Sequence, residues 1–145
     1  MDSRRIVVVR YRFPDKIHVT TSYSDILRQL TGKYQGTDGV LFENYAVMEL
    51  HKLVRSLYPQ TRLWFYRTRS GLEVDLLCET GGGFVGLEVK SSGVVSGNDF
   101  RALRHLAEAL GEKMAGGIVI YRGDKILQYG PKLWAVPSYR LFSPA

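Results

Sequence analysis

Apolar positions divide the chain into helical and strand segments. Between Val40 and Leu57, the residues Phe42, Ala46, Leu50, Leu53, Val54 and Leu57 fall on one stripe at about 100° per residue, which predicts an amphipathic helix. Thr37 or Asp38 can cap its start, and Pro59 stops it. Glu49, Lys52 and Arg55 lie away from the stripe. Glu43 lies within it, where a carboxylate must be paired, protonated or bound to a cation, because an isolated buried charge is very costly.

Three short segments follow that read as strands, near 62–67, 72–78 and 84–90, the last two separated by Thr80-Gly81-Gly82-Gly83. Alternate side chains of a strand share a face. Leu72, Val74, Leu76 and Cys78 should therefore point one way, and Glu73, Asp75 and Leu77 the other. In the next strand Val85, Leu87 and Val89 share one face, and Glu88 and Lys90 the opposite one. Pairing across the glycine turn brings Asp75, Glu88 and Lys90 towards one small volume.

A second helix is predicted from about Asp99 to Leu110, capped by Ser96 or Asn98 and ended by Gly111. Phe100, Leu103, Leu106, Ala107 and Leu110 form its apolar face, with Arg101, Arg104, His105 and Glu108 on the other side. Ala115 to Tyr121 reads as a buried strand, with Lys125 to Gln128 as a hairpin partner across Arg122-Gly123-Asp124. Leu133 to Val136 reads as one more strand before Pro137. The order α-β-β-β-α-β predicts an α/β fold, a mixed sheet with helices on both faces. Upstream, residues 5–13 alternate loosely as a strand, and Asp25 to Leu30 form a short helix before the glycine-containing loop from Gly32 to Gly39. Residues 1–36 thus read as an N-terminal arm and residues 37–145 as the compact domain.

Length and composition narrow the class. A chain of 145 residues is one domain with room for a core, and 45% hydrophobic with 23% charged residues is the balance of a globular protein. No apolar run approaches the ~18 residues of a membrane span. Met1-Asp2-Ser3-Arg4-Arg5 turns charged too quickly for a signal peptide, so a cytoplasmic location is expected. Cys78 is the single cysteine, which excludes an intramolecular disulfide and reads as a buried strand residue. His18, His51 and His105 lack ligand spacing, and no zinc site is expected. The net charge of +6 favours polyanionic partners, with Arg4, Arg5, Arg10, Arg12 and Lys16 near the start and Arg62, Arg67 and Arg69 beside the acidic strand. Basic charge beside an acidic site is what a phosphate substrate requires, since carboxylates alone would repel it.

Metal-dependent phosphodiester hydrolysis calls for carboxylate oxygens to hold Mg²⁺ or Mn²⁺. Asp75 and Glu88 are the candidate ligands, with the backbone carbonyl of Val89 a third. Glu43 would be an additional ligand, direct or through water. Lys90 would position the attacking water or neutralise charge on the phosphate. Glu73 lies one pleat from Asp75 and is peripheral. Arg67, Arg69, Arg101 and Arg104 are candidates for contacts to the DNA backbone. The rival account makes Lys90 a structural salt-bridge partner of Glu88 or Asp75, with Glu43 bonded to a tyrosine hydroxyl or Arg69.

Three blocks carry a resemblance: Gly39-Val40-Leu41-Phe42-Glu43-Asn44-Tyr45, then Tyr66 to Asp75, then Gly86-Leu87-Glu88-Val89-Lys90-Ser91-Ser92. Over roughly residues 22–142 the chain resembles a widespread prokaryotic domain of unknown function that usually follows a P-loop ATPase of the AAA+ type in one polypeptide. Its pattern is similar to the PD-(D/E)XK, or restriction-endonuclease-like, superfamily. The superfamily's helix acid matches Glu43, its strand acid Asp75, and its Glu-x-Lys pair Glu88 and Lys90. The resemblance implies a Mg²⁺-dependent nuclease acting on DNA, with junction-resolvase-like cleavage of branched DNA as a variant. The alternative is a non-catalytic module binding nucleic acid or protein within an ATPase system. A separate ATPase partner and a homodimer are both compatible with it. The chain departs in two respects. Val74 stands where the superfamily's proline would precede the acid, and no Gly-x-x-x-x-Gly-Lys-Ser/Thr occurs, so the chain is expected not to hydrolyse ATP by itself. Residues 1–21 match no part of the pattern.

Overall fold

A computed structural model of the chain describes residues 7–9, 38–68 and 70–142. Helix α1 spans Asp38–Leu57 and ends just before Pro59, as its stripe predicts. Three antiparallel strands follow: β2 (Arg62–Arg67), β3 (Glu73–Thr80) and β4 (Gly83–Val89). After a 3₁₀ turn at Gly97–Phe100, helix α2 (Arg101–Leu110) crosses over to β5 (Met114–Tyr121), which pairs parallel to β4. Strands β6 (Leu127–Gly130) and β7 (Leu133–Pro137) and the single turn α3 (Tyr139–Phe142) complete the order. Strand β1 (Val7–Val9) lies within the strand predicted at 5–13 and pairs antiparallel with β2, so the arm contributes an edge to the sheet. The helix predicted at Asp25 to Leu30 lies outside the described residues.

The seven strands form one mixed sheet, in the order β1-β2-β3-β4-β5-β7-β6, and the fold is α/β as expected. Each face carries its own core. On one side, Phe42, Ala46, Val47, Leu50 and Val54 of α1 pack on Leu63, Leu76, Cys78, Leu87, Val89 and Ile120. On the other, Phe100, Ala102, Leu103 and Leu106 pack on Tyr66, Val74, Leu77, Met114 and Val119. Gly86 permits the second approach: a Cβ there would stand 2.6 Å from a Leu103 methyl. Cys78 is buried in the α1-side core, and burial pushes its thiol up to about 11, so it behaves as an apolar residue.

Strand β6 pairs with β7 and not with β5, whose outer neighbour is β7, so Arg122-Gly123-Asp124 does not close the expected hairpin. Three further local expectations are corrected. Leu53 and Leu57, placed on the stripe of α1, are 37% and 59% exposed. An open groove of about 610 Å³, lined by Val54, Tyr58, Cys78, Val85 and Leu87 among others, separates the end of α1 from the β3–β4 hairpin. Val54 still packs on the sheet, while Leu53 and Leu57 lie to the solvent side of it. His105, placed on the polar side of α2, instead hydrogen-bonds the Tyr66 hydroxyl at 2.6 Å. The buried arc of α2 is wider than its apolar stripe and reaches Ala102. The third correction concerns β3. Its pairing with β2 slips between Trp64↔Leu77 and Tyr66↔Val74, so Asp75 and Leu76 together face a single residue of β2. This bulge breaks strict alternation. Val74 and Leu77 belong to the α2-side core, while Leu76 and Cys78 belong to the α1-side core.

Among the described residues, no helix is long and apolar enough to cross a membrane.

Candidate functional site

The candidate residues meet where β3 and β4 part. Their ladder runs from Thr80↔Gly83 to Leu76↔Leu87 and stops there. The amide of Val89 consequently has no partner on β3, and Asp75 supplies one: its Oδ2 accepts the Val89 N–H at 2.8 Å. The bulge at Asp75 and Leu76 delivers this carboxylate to the fork. Burial pushes the Asp75 carboxyl above its usual value, and the Val89 amide and the Lys90 charge pull it back. The nearby charges of Glu43 and Glu73 raise it further.

Glu88 shares the face of Gly86, towards α2, because Leu87 and Val89 point into the α1-side core. Only 8% of the residue is exposed. Its Oε1 takes an ion pair from Lys90 Nζ at 3.0 Å. Among the described residues, its Oε2 is buried without a hydrogen-bond partner. A buried carboxylate oxygen in that state is expensive. Burial accordingly raises the Glu88 pKa, against the opposing pull of Lys90, and the Asp75 and Asp99 charges add to the rise. For Lys90 the largest influence, burial, disfavours the ammonium. The Glu88 bond and the charges of Glu88, Asp75 and Glu43 outweigh it, and the pKa is raised.

Glu43 approaches from the opposite face. The start of α1 lies so close to β4 that a Cβ on Gly39 would stand 2.7 Å from Ser91 Oγ. One turn later, Glu43 Oε1 accepts the Ser91 N–H at 3.1 Å. The carboxylate on the apolar stripe therefore accepts a main-chain amide. Its charge still reaches Asp75 and Lys90. Asp75, Glu88 and Lys90 are thus gathered at one strand end, with Glu43 bound beside them through the β4 extension. Each acid nevertheless answers to a different donor. Among the described residues, no three His, Cys, Asp or Glu side chains stand together as a metal cage.

The predicted basic residues are dispersed. Arg67 pairs with Glu73 at 3.0 Å, which leaves Glu73 peripheral. Arg104 donates to the carbonyls of Gly97 and Tyr129 at 2.8 and 3.4 Å and lies over the Phe100 ring. Arg101 is exposed at the start of α2. Arg69 lies outside the described residues. Two charged neighbours escaped the sequence reading. Asp99, whose Oδ2 accepts the Ser96 N–H at 2.8 Å, adds negative charge near Glu88. Arg122, which reads as a turn residue, places its guanidinium 5.2 Å from the centre of the Phe42 ring, next to Glu43 in sequence. The Ser96–Asp99 spacing is a capping box that could have flagged Asp99. No sequence signal marks Arg122.

A mixed α/β sheet with acids and a lysine at the ends of its central strands defines the class of domain. The chain belongs to the family described as domain of unknown function DUF4143, which matches residues 38–141. No curated protein matches it.

Proposed function

We propose that this domain is a metal-dependent nuclease of the PD-(D/E)XK type, hydrolysing DNA phosphodiester bonds at the fork between β3 and β4. The observation that carries this reading is the buried Oε2 of Glu88, unpartnered among the described residues, beside Asp75. Mg²⁺ commonly binds through one or two protein carboxylates plus substrate phosphates, without a full protein cage. Asp75 and Glu88 fit that mode, with the Val89 carbonyl adjacent. A bound Mg²⁺ or Mn²⁺ would supply an acidified water and stabilise charge on the phosphate. Hydrolysis joins a water oxygen to phosphorus and breaks the bridging P–O bond, and the leaving oxygen takes up a proton. Lys90 keeps its ammonium at the fork, where it can neutralise charge on the reacting phosphate. Glu43 fixes the Ser91 amide and so sets the path of the chain after Lys90.

A second reading has its own observation. Glu43 and Asp75 each satisfy a main-chain amide left open at the strand end, a structural role that a non-catalytic binding module of an ATPase system would also use. Glu43 on the stripe therefore does not separate the two readings. Calorimetry with Mn²⁺ does, comparing the wild type with Asp75→Asn. It is joined to incubation with supercoiled, linear, single-stranded and four-way-junction DNA. The nuclease reading expects millimolar or tighter Mn²⁺ binding, its loss in the variant, and cleavage of at least one substrate. A wild type that binds neither Mg²⁺ nor Mn²⁺ at millimolar concentration overturns it in favour of the binding module.

A further inference from the structure

Four basic side chains near the sheet are engaged by oxygen atoms within the chain. Arg67 pairs with Glu73, Arg104 with two carbonyls, Lys132 with the Met114 carbonyl and Lys90 with Glu88. Arg122 differs. It is exposed and has no carboxylate within ion-pair distance among the described residues, yet it is held at both ends. Its backbone N–H donates to the Ser92 carbonyl at 3.0 Å, continuing the β4–β5 pairing just after Lys90 N–H donates to Ile120 at 2.8 Å. Its guanidinium lies over Phe42, close enough for a cation–π contact. Phe42 belongs to the α1-side core and Lys90 pairs with Glu88 on the α2 side. The two cations therefore bracket the acidic strand end from opposite faces of the sheet.

We infer that Arg122 is a phosphate-contacting residue of this site, binding a backbone phosphate next to the one that is hydrolysed. The inference rests on the nuclease reading. Three neighbouring carboxylates repel a phosphodiester backbone, and a pre-positioned guanidinium with its five donors unpaired by acid offsets that repulsion at little ordering cost. The ring beneath it fixes where the guanidinium stands while its N–H edges stay open to solvent.

The test is binding of a short duplex, followed by fluorescence anisotropy in EDTA over a series of KCl concentrations. Arg122→Ala should weaken binding roughly fivefold and lower the slope of log affinity against log salt by about 0.9, the share of one phosphate contact on a duplex. Arg122→Lys should retain that slope, because an ammonium still meets the phosphate, while losing part of the affinity. Phe42→Leu, which keeps the charge but removes the ring, should weaken binding about twofold with the slope unchanged. The slope is the decisive readout, since a merely structural role would not move it. If the wild type binds and cuts DNA while Arg122→Ala matches it in affinity and slope, this inference fails and the nuclease reading stands. If the wild type neither binds nor cuts any DNA, both fail.

Discussion

Glu43 and Glu88 stand on opposite faces of the same strand end, and both are carboxylates set among apolar neighbours. On the α1 face, Glu43 is half-buried and its Oε1 receives the Ser91 amide. On the α2 face, Glu88 is buried, one oxygen meets Lys90 and the other has no hydrogen-bond partner among the described residues. A carboxylate on an apolar stripe is thus not in itself the mark of a ligand, since a single main-chain amide can account for it. What marks a site is a buried acid whose hydrogen-bonding capacity the fold leaves open. On the proposed reading, the α2 face would carry the chemistry and the α1 face would support it.

The sharpest way to break this contrast is Lys90→Ala. Without the ammonium, Glu88 is left buried with no cation, and phosphate charge goes uncompensated. Cleavage with Mn²⁺ should fall by about 100-fold or more, while DNA affinity stays within a few fold, because one charge is a small part of a multi-phosphate contact. A large loss of affinity with turnover preserved would assign Lys90 to binding. Glu43 gives the second largest effect, on stability. Glu43→Ala orphans the Ser91 amide and should cost about 1–2 kcal/mol in urea unfolding. Glu43→Gln keeps an amide oxygen for Ser91 and should unfold close to wild type. If Glu43→Gln keeps its stability yet loses cleavage, the α1 face does more than support.

How far this contrast could be read from residues alone depends on the kind of signal. Helix α1 was legible from its stripe and Pro59, and the strands themselves from apolar segments bounded by glycine turns, but not the insertion of β7 between β5 and β6. Asp75, Glu88 and Lys90 were legible as neighbours because one hairpin joins them. The faces were not. The alternation rule presumes unbroken pairing, and the bulge at Asp75 and Leu76 carries no glycine or proline to announce it. Ser91 as the partner of Glu43 was equally hidden, since it depends on how closely Gly39 lets α1 approach β4. Arg122 and His105 acquire their roles only through contacts with Phe42 and Tyr66, each far away along the chain. Local periodicity cannot encode such pairs.

A smaller effect is expected from pH. Burial raises the folded-state pKa of Glu88 above its ordinary 4.5 and that of Asp75 above 3.8. The folded state therefore holds these protons more tightly than the unfolded chain does. Their contribution to stability is fully present below those ordinary values and is lost as pH rises through the raised folded values. Glu88→Gln, which cannot ionise, should lose less stability than the wild type as pH rises above about 4.5. The measurement is thermal unfolding in EDTA at a series of pH values. Mn²⁺ should narrow the difference between the two proteins by stabilising only the wild type at the upper end. Parallel curves for the two proteins would mean that Glu88 is solvated in solution and the α2 face is not distinct.

The smallest effect separates a buried ion pair from an exposed one on the same sheet. Arg67 and Glu73 lie 3.0 Å apart with side chains 62% and 41% exposed, against 32% and 10% for Lys90 and Glu88. Water screens the outer pair and holding two long side chains together costs entropy, so its net worth is at most about 1 kcal/mol. Arg67→Ala should accordingly shift urea unfolding by about 0.5 kcal/mol or less, an effect that vanishes in high salt. Because Glu73 already neutralises this guanidinium, DNA affinity should also change by less than about twofold. A larger drop would mean that phosphate displaces Glu73 from Arg67. The basic surface recognised beside the acidic strand would then extend from Arg122 at one end of the fork to β2 at the other.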